Sequence, residues 1–169
     1  MSLKNLQTFS QADFERPLSG PFLGGEATFF TARAPDKTTP NEDCLALIPF
    51  DADSGVLIVA DGLGGLPAGS TASQLAVDTL AQVLDEAASA DIPFRDAILN
   101  GIEQANQAIL AQGSGMATTL AVVEIQGHTV RHYHVGDAMI MVTGQRGKVT
   151  AYTVSHSPVG YAVEAGMLD

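Results

Sequence analysis

The last third of the chain constrains the fold most, because its connections are too short for anything but antiparallel pairing. Four apolar runs, "TTLAVVEI" (118–125), "TVRHYHV" (129–135), "AMIMVTG" (138–144) and "KVTAYTV" (148–154), are joined at Gln126-Gly127, Gly136-Asp137 and Arg146-Gly147. A parallel return needs a crossover of a dozen or more residues, so turns this tight predict adjacent antiparallel strands. Upstream the period changes. Residues 67–90 place Leu75, Leu80, Val83 and Leu84 at helical spacing, with Ser70 or Thr71 expected as the N-cap. A second helix is expected over 93–112, with Phe94, Ile98, Ile102, Ala105 and Ile109 on one face and Pro93 in its first turn. Before the helices come three strand candidates: 26–34, 43–50 and 55–60. Strands, two helices and a strand meander predict a layered α+β domain over 26–169. Residues 1–25, with Pro17, Pro21 and three glycines, read as a loosely ordered lead-in.

Charge and composition exclude several classes. Nineteen acids against eight Lys plus Arg give a net charge of −11, which repels phosphate backbones and anionic bilayers. Neither nucleic acid nor a membrane is therefore an expected partner. No apolar run approaches the roughly 18–20 residues of a membrane span, and no signal peptide opens the sequence. The one cysteine, Cys44, reads as a small buried residue and fits a reducing, cytoplasmic setting.

The chemistry gathers where apolar runs end in acids. In "GVLIVADGLGG" (55–65), five apolar residues read as a strand buried on both faces and stop at Asp61. A carboxylate in such a place is costly unless it is paired or holds a metal. The glycines after it are not a nucleotide loop: position 67 is proline where a dinucleotide fingerprint needs glycine, and Gly69-Ser70-Thr71 lacks the P-loop lysine. Asp61 with the Gly62 carbonyl suits a hard, oxygen-seeking cation; the alternative is that Asp61 bonds the turn amides. "NED" (41–43) sets Glu42 and Asp43 at a strand entrance, where neighbours point to opposite faces, so only one can easily be a direct ligand and the other could hold a metal-bound water. Both could equally be solvated loop acids. Asp137, in the turn "GDA", repeats the theme, although turns favour Gly-Asp on their own account. His132 and His134 share a strand face and could bind a metal, or could simply cover a sheet. Residues 113–119 lack the G-x-S-x-G spacing of a serine hydrolase.

In this order, "NED", "VADGLGGLPAGSTAS", "GSGMATTLAVV", "HVGDAMIMV" and "SPVGYAVEAGMLD" resemble the metal-dependent protein serine/threonine phosphatases of type 2C, the PPM family, over residues 26–169. The resemblance implies a β-sandwich flanked by helices with a binuclear Mn²⁺ or Mg²⁺ centre. It implies that Asp61 bridges the metals, that Gly62 offers its carbonyl, and that Glu42 binds directly or through water. Asp43 would orient water, and Asp137 would serve an additional, weaker metal. The implied reaction is attack of a metal-activated water on a phosphoserine or phosphothreonine of a protein substrate, with no covalent enzyme intermediate.

Two departures accompany the resemblance. Where many members carry a phosphate-gripping arginine, five residues before Asp43, this chain has Thr38, with Lys37 beside it as a point-charge substitute. The family's two further C-terminal metal aspartates have no counterpart before Asp169. The expectation is thus a fragment with an incomplete sandwich and low or no activity. The alternative is a non-catalytic pseudophosphatase that binds a phosphoprotein. In either case a homodimer or an exchanged strand is expected to cover the sheet edge.

Overall fold

The computed structural model describes residues 6–63, 68–113 and 115–167. In chain order the strands are β1 (Gln7–Ser10), β2 (Leu18–Phe22), β3 (Gly25–Phe29), β4 (Asp43–Pro49) and β5 (Ser54–Leu63). Helices α1 (Ala68–Ala90) and α2 (Phe94–Ala111) follow, then β6 (Ala117–Thr118), β7 (Leu120–Gln126), β8 (Thr129–Val135), β9 (Met141–Thr143), β10 (Val149–Tyr152) and α3 (Pro158–Glu164). The main sheet runs β1-β4-β5-β7-β8, with β6 attached to the end of β5. All its pairings are antiparallel. Strands β2 and β3 form one separate ribbon and β9 and β10 another.

Alternation along the central hairpin decides where the core lies. Cys44, Ala46 and Ile48 of β4 stand opposite Ala60, Ile58 and Val56 of β5, and all six are buried against the helices. Leu80 and Leu84 of α1 and Ile98 of α2 are fully covered in the same cluster, each contributing roughly 1.5–3 kcal/mol of burial. Gly101 lets α2 come close to α1, since a Cβ there would stand 3.3 Å from Leu80 Cγ. The hairpin loop is held by Asp51, whose carboxylate accepts from the Asp53 and Ser54 amides at 2.8 and 2.7 Å and from the Ser54 hydroxyl at 2.6 Å. This is an Asx turn, which aspartate favours because its short side chain reaches its own backbone. Both helices fall where the periodicity places them, giving the layered α+β architecture expected from the sequence.

Four expectations are corrected. Residues 6–25 are not a loose lead-in: β1 pairs with β4, Phe9 and Phe14 pack with Phe29, and β2 pairs with β3. The run ending at Asp61 is not buried on both faces. Leu57 and Val59 point away from the helices, and Val59 is 51% exposed on the wall of a groove of about 960 Å³ lined also by Phe22, Phe29, Leu45 and Leu47. The last third is two hairpins rather than one meander. After Gly136 (φ 82°) the chain leaves the sheet, and Thr153 takes up both the amide and the carbonyl of Ile140. Finally, α1 begins at Ala68, so Ser70 and Thr71 lie inside its first turn instead of capping it. Among the described residues no helix is long and apolar enough to cross a membrane.

Candidate metal centre

The register of the central hairpin places Asp43 directly across from Asp61 at one end of the sheet. The backbone around both is tied down. The Asp61 carbonyl accepts from the Thr119 amide at 2.9 Å and the Thr118 hydroxyl at 3.0 Å, while its amide donates to Thr119 Oγ1 at 3.3 Å. Only its carboxylate is left for a ligand. Asp43 is held by Thr31, whose hydroxyl donates to Asp43 Oδ2 at 2.6 Å. Asn41 organises this corner: it is 5% exposed, its Nδ2 donates to Thr31 Oγ1 and the Ala12 carbonyl, and its Oδ1 accepts from the Asp43 amide.

Glu42 turns the other way, as alternation at the strand entrance requires. Its carbonyl accepts from the Gly62 amide at 3.2 Å and the Ser73 hydroxyl at 2.5 Å, which ties the approach to β4 to both β5 and α1. Its Oε2 accepts from Lys37 Nζ at 2.6 Å. Two glycines then become obligatory. A Cβ on Gly62 would collide with the Gly69 carbonyl. A Cβ on Gly69 would sit 2.7 Å from Glu42 Oε1 and 2.9 Å from the Gly62 carbonyl oxygen. So a carboxylate oxygen and a carbonyl oxygen converge over a spot that only glycine leaves open.

Electrostatics mark the same place. Partial desolvation raises the Asp61 carboxyl above the usual carboxylate range, and the charge of Asp43, a hydrogen bond with Asp43 and the charge of Asp137 raise it further. Lys37 pulls it back. Like charges crowded in this way favour a cation among them. Asp137 sits exposed in the turn after β8, contributing charge to Asp61 across the gap.

The donors are all oxygens, the set a hard divalent ion selects. Of these, Glu42 Oε1 and the Gly62 carbonyl oxygen both approach the space over Gly69, and Asp61 precedes Gly62 on the same strand. Among the described residues no three His, Cys, Asp or Glu side chains converge closely enough to hold a metal by themselves. His134 is engaged elsewhere, packing its ring on His156 with centroids 4.1 Å apart and donating through Nε2 to the Val154 carbonyl at 2.8 Å, while His132 is exposed on β8. Cys44 is buried in the core, where burial pushes its thiol up to about 11. Residues 64–67 of the glycine loop lie outside the described residues.

Sequence reasoning singled out Lys37, Glu42, Asp43, Asp61, Gly62 and Asp137, and the fold gathers them at one end of the sheet. It missed the residues that aim them: Thr31, Thr119, Ser73 and the space over Gly69. Asn41 was readable, because an asparagine two residues before a strand's first amide is an Asx-turn signal.

Comparison with known proteins places this chain in a family. The model of the protein phosphatase 2C family matches residues 33–165. Protein phosphatase PhpP of Streptococcus pneumoniae is 32% identical over 139 residues, covering 78% of this chain and 56% of that protein. This chain therefore spans little more than half the length of that curated relative. Among solved structures, the S. agalactiae serine/threonine phosphatase is similar with a TM-score of 0.66 and 27% identity, over 97% of this chain and 62% of that one. The catalytic domain of serine/threonine protein phosphatase PstP, in complex with 2 manganese ions, is similar with a TM-score of 0.60 and 26% identity, over 96% of this chain and 61% of that one. With the family model matching most of its length, the chain is a member of the protein phosphatase 2C family.

Proposed function

We propose that this chain supplies part of the site for metal-dependent hydrolysis of phosphoserine and phosphothreonine on proteins. The observation that carries the reading is the convergence of Glu42 Oε1 and the Gly62 carbonyl over Gly69, beside the facing pair Asp43 and Asp61. Asp61, Gly62 and Glu42 would hold a Mn²⁺ or Mg²⁺ ion, and Asp137 would add negative charge at the outer rim. Bound divalent ions supply a water acidic enough to attack at neutral pH and neutralise charge on the phosphoryl oxygens. Asp43, fixed by Thr31 and Asn41, accepts a hydrogen bond from the attacking water and orients it. Lys37, on an exposed loop at the mouth of the site, meets the incoming phosphate as a point charge. The substrate is a phosphoprotein, the setting is cytoplasmic, and β8, an edge strand of the sheet among the described residues, is where further strands or a second copy pair.

Mn²⁺-dependent release of phosphate from p-nitrophenyl phosphate and from a phosphothreonine peptide tests this, with Asp61→Asn as control. Turnover that needs both Mn²⁺ and Asp61 supports the reading; metal-independent turnover refutes it. A second reading is a non-catalytic module that binds phosphoproteins, and it is favoured by Thr38 standing where many members carry arginine. Phosphopeptide binding without turnover would select it.

A further inference from the structure

Lys37 does not point at open solvent, as a lysine waiting for phosphate would. Its ammonium lies 2.6 Å from Glu42 Oε2, although Lys37 is itself half exposed and Glu42 is only 12% exposed. The loop around it is folded back by a bond from the Lys37 amide to the Ala34 carbonyl at 3.0 Å. Meanwhile Glu42 Oε1, the other oxygen of the same carboxylate, faces the space over Gly69 where the Gly62 carbonyl also points. One carboxylate is therefore shared between an internal cation and the place assigned above to an external one.

We propose that Lys37 is a displaceable counter-ion of Glu42, released by the divalent ion and only then available to the substrate's phosphate. This rests on the metal-site reading above and goes beyond it by fixing an order: metal first, phosphate second. The physical argument is charge balance. A largely buried carboxylate needs a compensating charge, and the flexible four-carbon stem of lysine supplies one without a rigid fork. Once a divalent ion sits on Glu42 Oε1, the carboxylate's charge is answered twice over and the ammonium is repelled from the ion. Its exposed stem lets it swing toward the mouth, where a phosphate dianion restores its partner. An arginine with a bidentate grip on Glu42 would exchange less readily, so the choice of lysine suits a latch.

The test is amine labelling read by mass spectrometry, with Lys148 as internal reference and Mn²⁺ binding followed separately by electron paramagnetic resonance. Without metal, Lys37 should label slowly. Saturating Mg²⁺ should speed it about three- to five-fold, the upper range for a surface ion pair, and leave Lys148 unchanged. Glu42→Gln should label Lys37 at the fast rate with no metal present. In parallel, titration calorimetry with inorganic phosphate should show binding only after Mg²⁺ is added. Lys37→Met should weaken that binding while keeping the metal, and Lys37→Arg should restore it in part. If Mn²⁺ binds yet Lys37 labelling is unchanged or slower, Lys37 is a fixed positioning residue and the latch is wrong, whereas the metal site stands. If Mn²⁺ does not bind at all, both readings fall.

Discussion

Replacing Asp61 by asparagine should make the metal-free protein more stable and the metal-treated protein less stable than wild type. Asp43 and Asp61 are directly opposed across an antiparallel pair, the arrangement in which like charges repel most. Opposed like charges cost up to about 1 kcal/mol at a partly exposed sheet position. Asparagine keeps the shape, removes one charge and can donate to Asp43, so the gain should be about 0.5–1 kcal/mol. For a chain of this size that raises Tm by about 1–4 °C. Metal reverses the order. An ion present at a hundred times its Kd stabilises the folded state by about 2.7 kcal/mol, or about 5–10 °C here. Asp61→Asn should lose most of that gain because the ion loses its central carboxylate. Thermal melts of both proteins, in EDTA and in excess Mn²⁺, are sufficient to see the crossing. A variant less stable in EDTA, or one stabilised by Mn²⁺ as much as wild type, would refute the claim that repulsion at Asp61 is what the cation relieves.

Other expectations follow from the same contacts. Gly69→Ala should cost about 1–3 kcal/mol through crowding and should abolish Mn²⁺-induced stabilisation, because its methyl group would press on Glu42 Oε1 and the Gly62 carbonyl; melts with and without Mn²⁺ read both effects. His156→Ala removes the ring contact with His134 and should weaken the docking of residues 140–164 by about 0.5–1.5 kcal/mol, seen as faster amide hydrogen exchange there and not in α1. The Ser54 hydroxyl and the Asp53 amide hold the Asp51 carboxyl below its usual range. With a depressed folded value, its contribution is complete above about pH 4 and is lost as pH falls through that value. The stability difference between wild type and Asp51→Ala should therefore shrink on acidification below pH 4; a gap independent of pH would show that the turn is held by something else.

What was legible in the sequence is what depends on near neighbours. Helical spacing needs only a window of two or three turns, so Leu80, Leu84 and Ile98 announced the core face, and short glycine-bearing connections announced the β7–β8 and β9–β10 hairpins. The acids were legible because aspartate at the end of an apolar run is chemically conspicuous. What could not be read depends on distant partners. β1 is four residues, "QTFS", with no strand pattern of its own, and it exists as a strand because β4 offers a free edge 37 or so positions away. The same holds for Thr31, 12 residues from Asp43, and Thr119, 58 residues from Asp61. The exposure of Val59 is equally non-local, being set by what lies across the groove rather than by the run that contains it.

That contrast explains why an apolar run ends in a carboxylate here. The side-chain period of a strand is two, so a one-residue slip of β5 would send Val59 and Asp61 to the helix side and Ala60 outward. Such a slip would turn a charge to the helix side of the sheet with no partner, a cost of several kcal/mol. It would also pull Ile58 and Val56 out of the core, forfeiting roughly 1.5–3 kcal/mol for each. Cys44, Ala46 and Ile48 exert the same restraint on β4 from the other side of the ladder. The core therefore works as a register lock whose last pair is Asp43 with Asp61. Packing energy stored far from the chemistry fixes which way two carboxylates point, and the tethers at Thr31, Thr119 and Gly62 have only to refine a placement that the apolar alternation has already enforced.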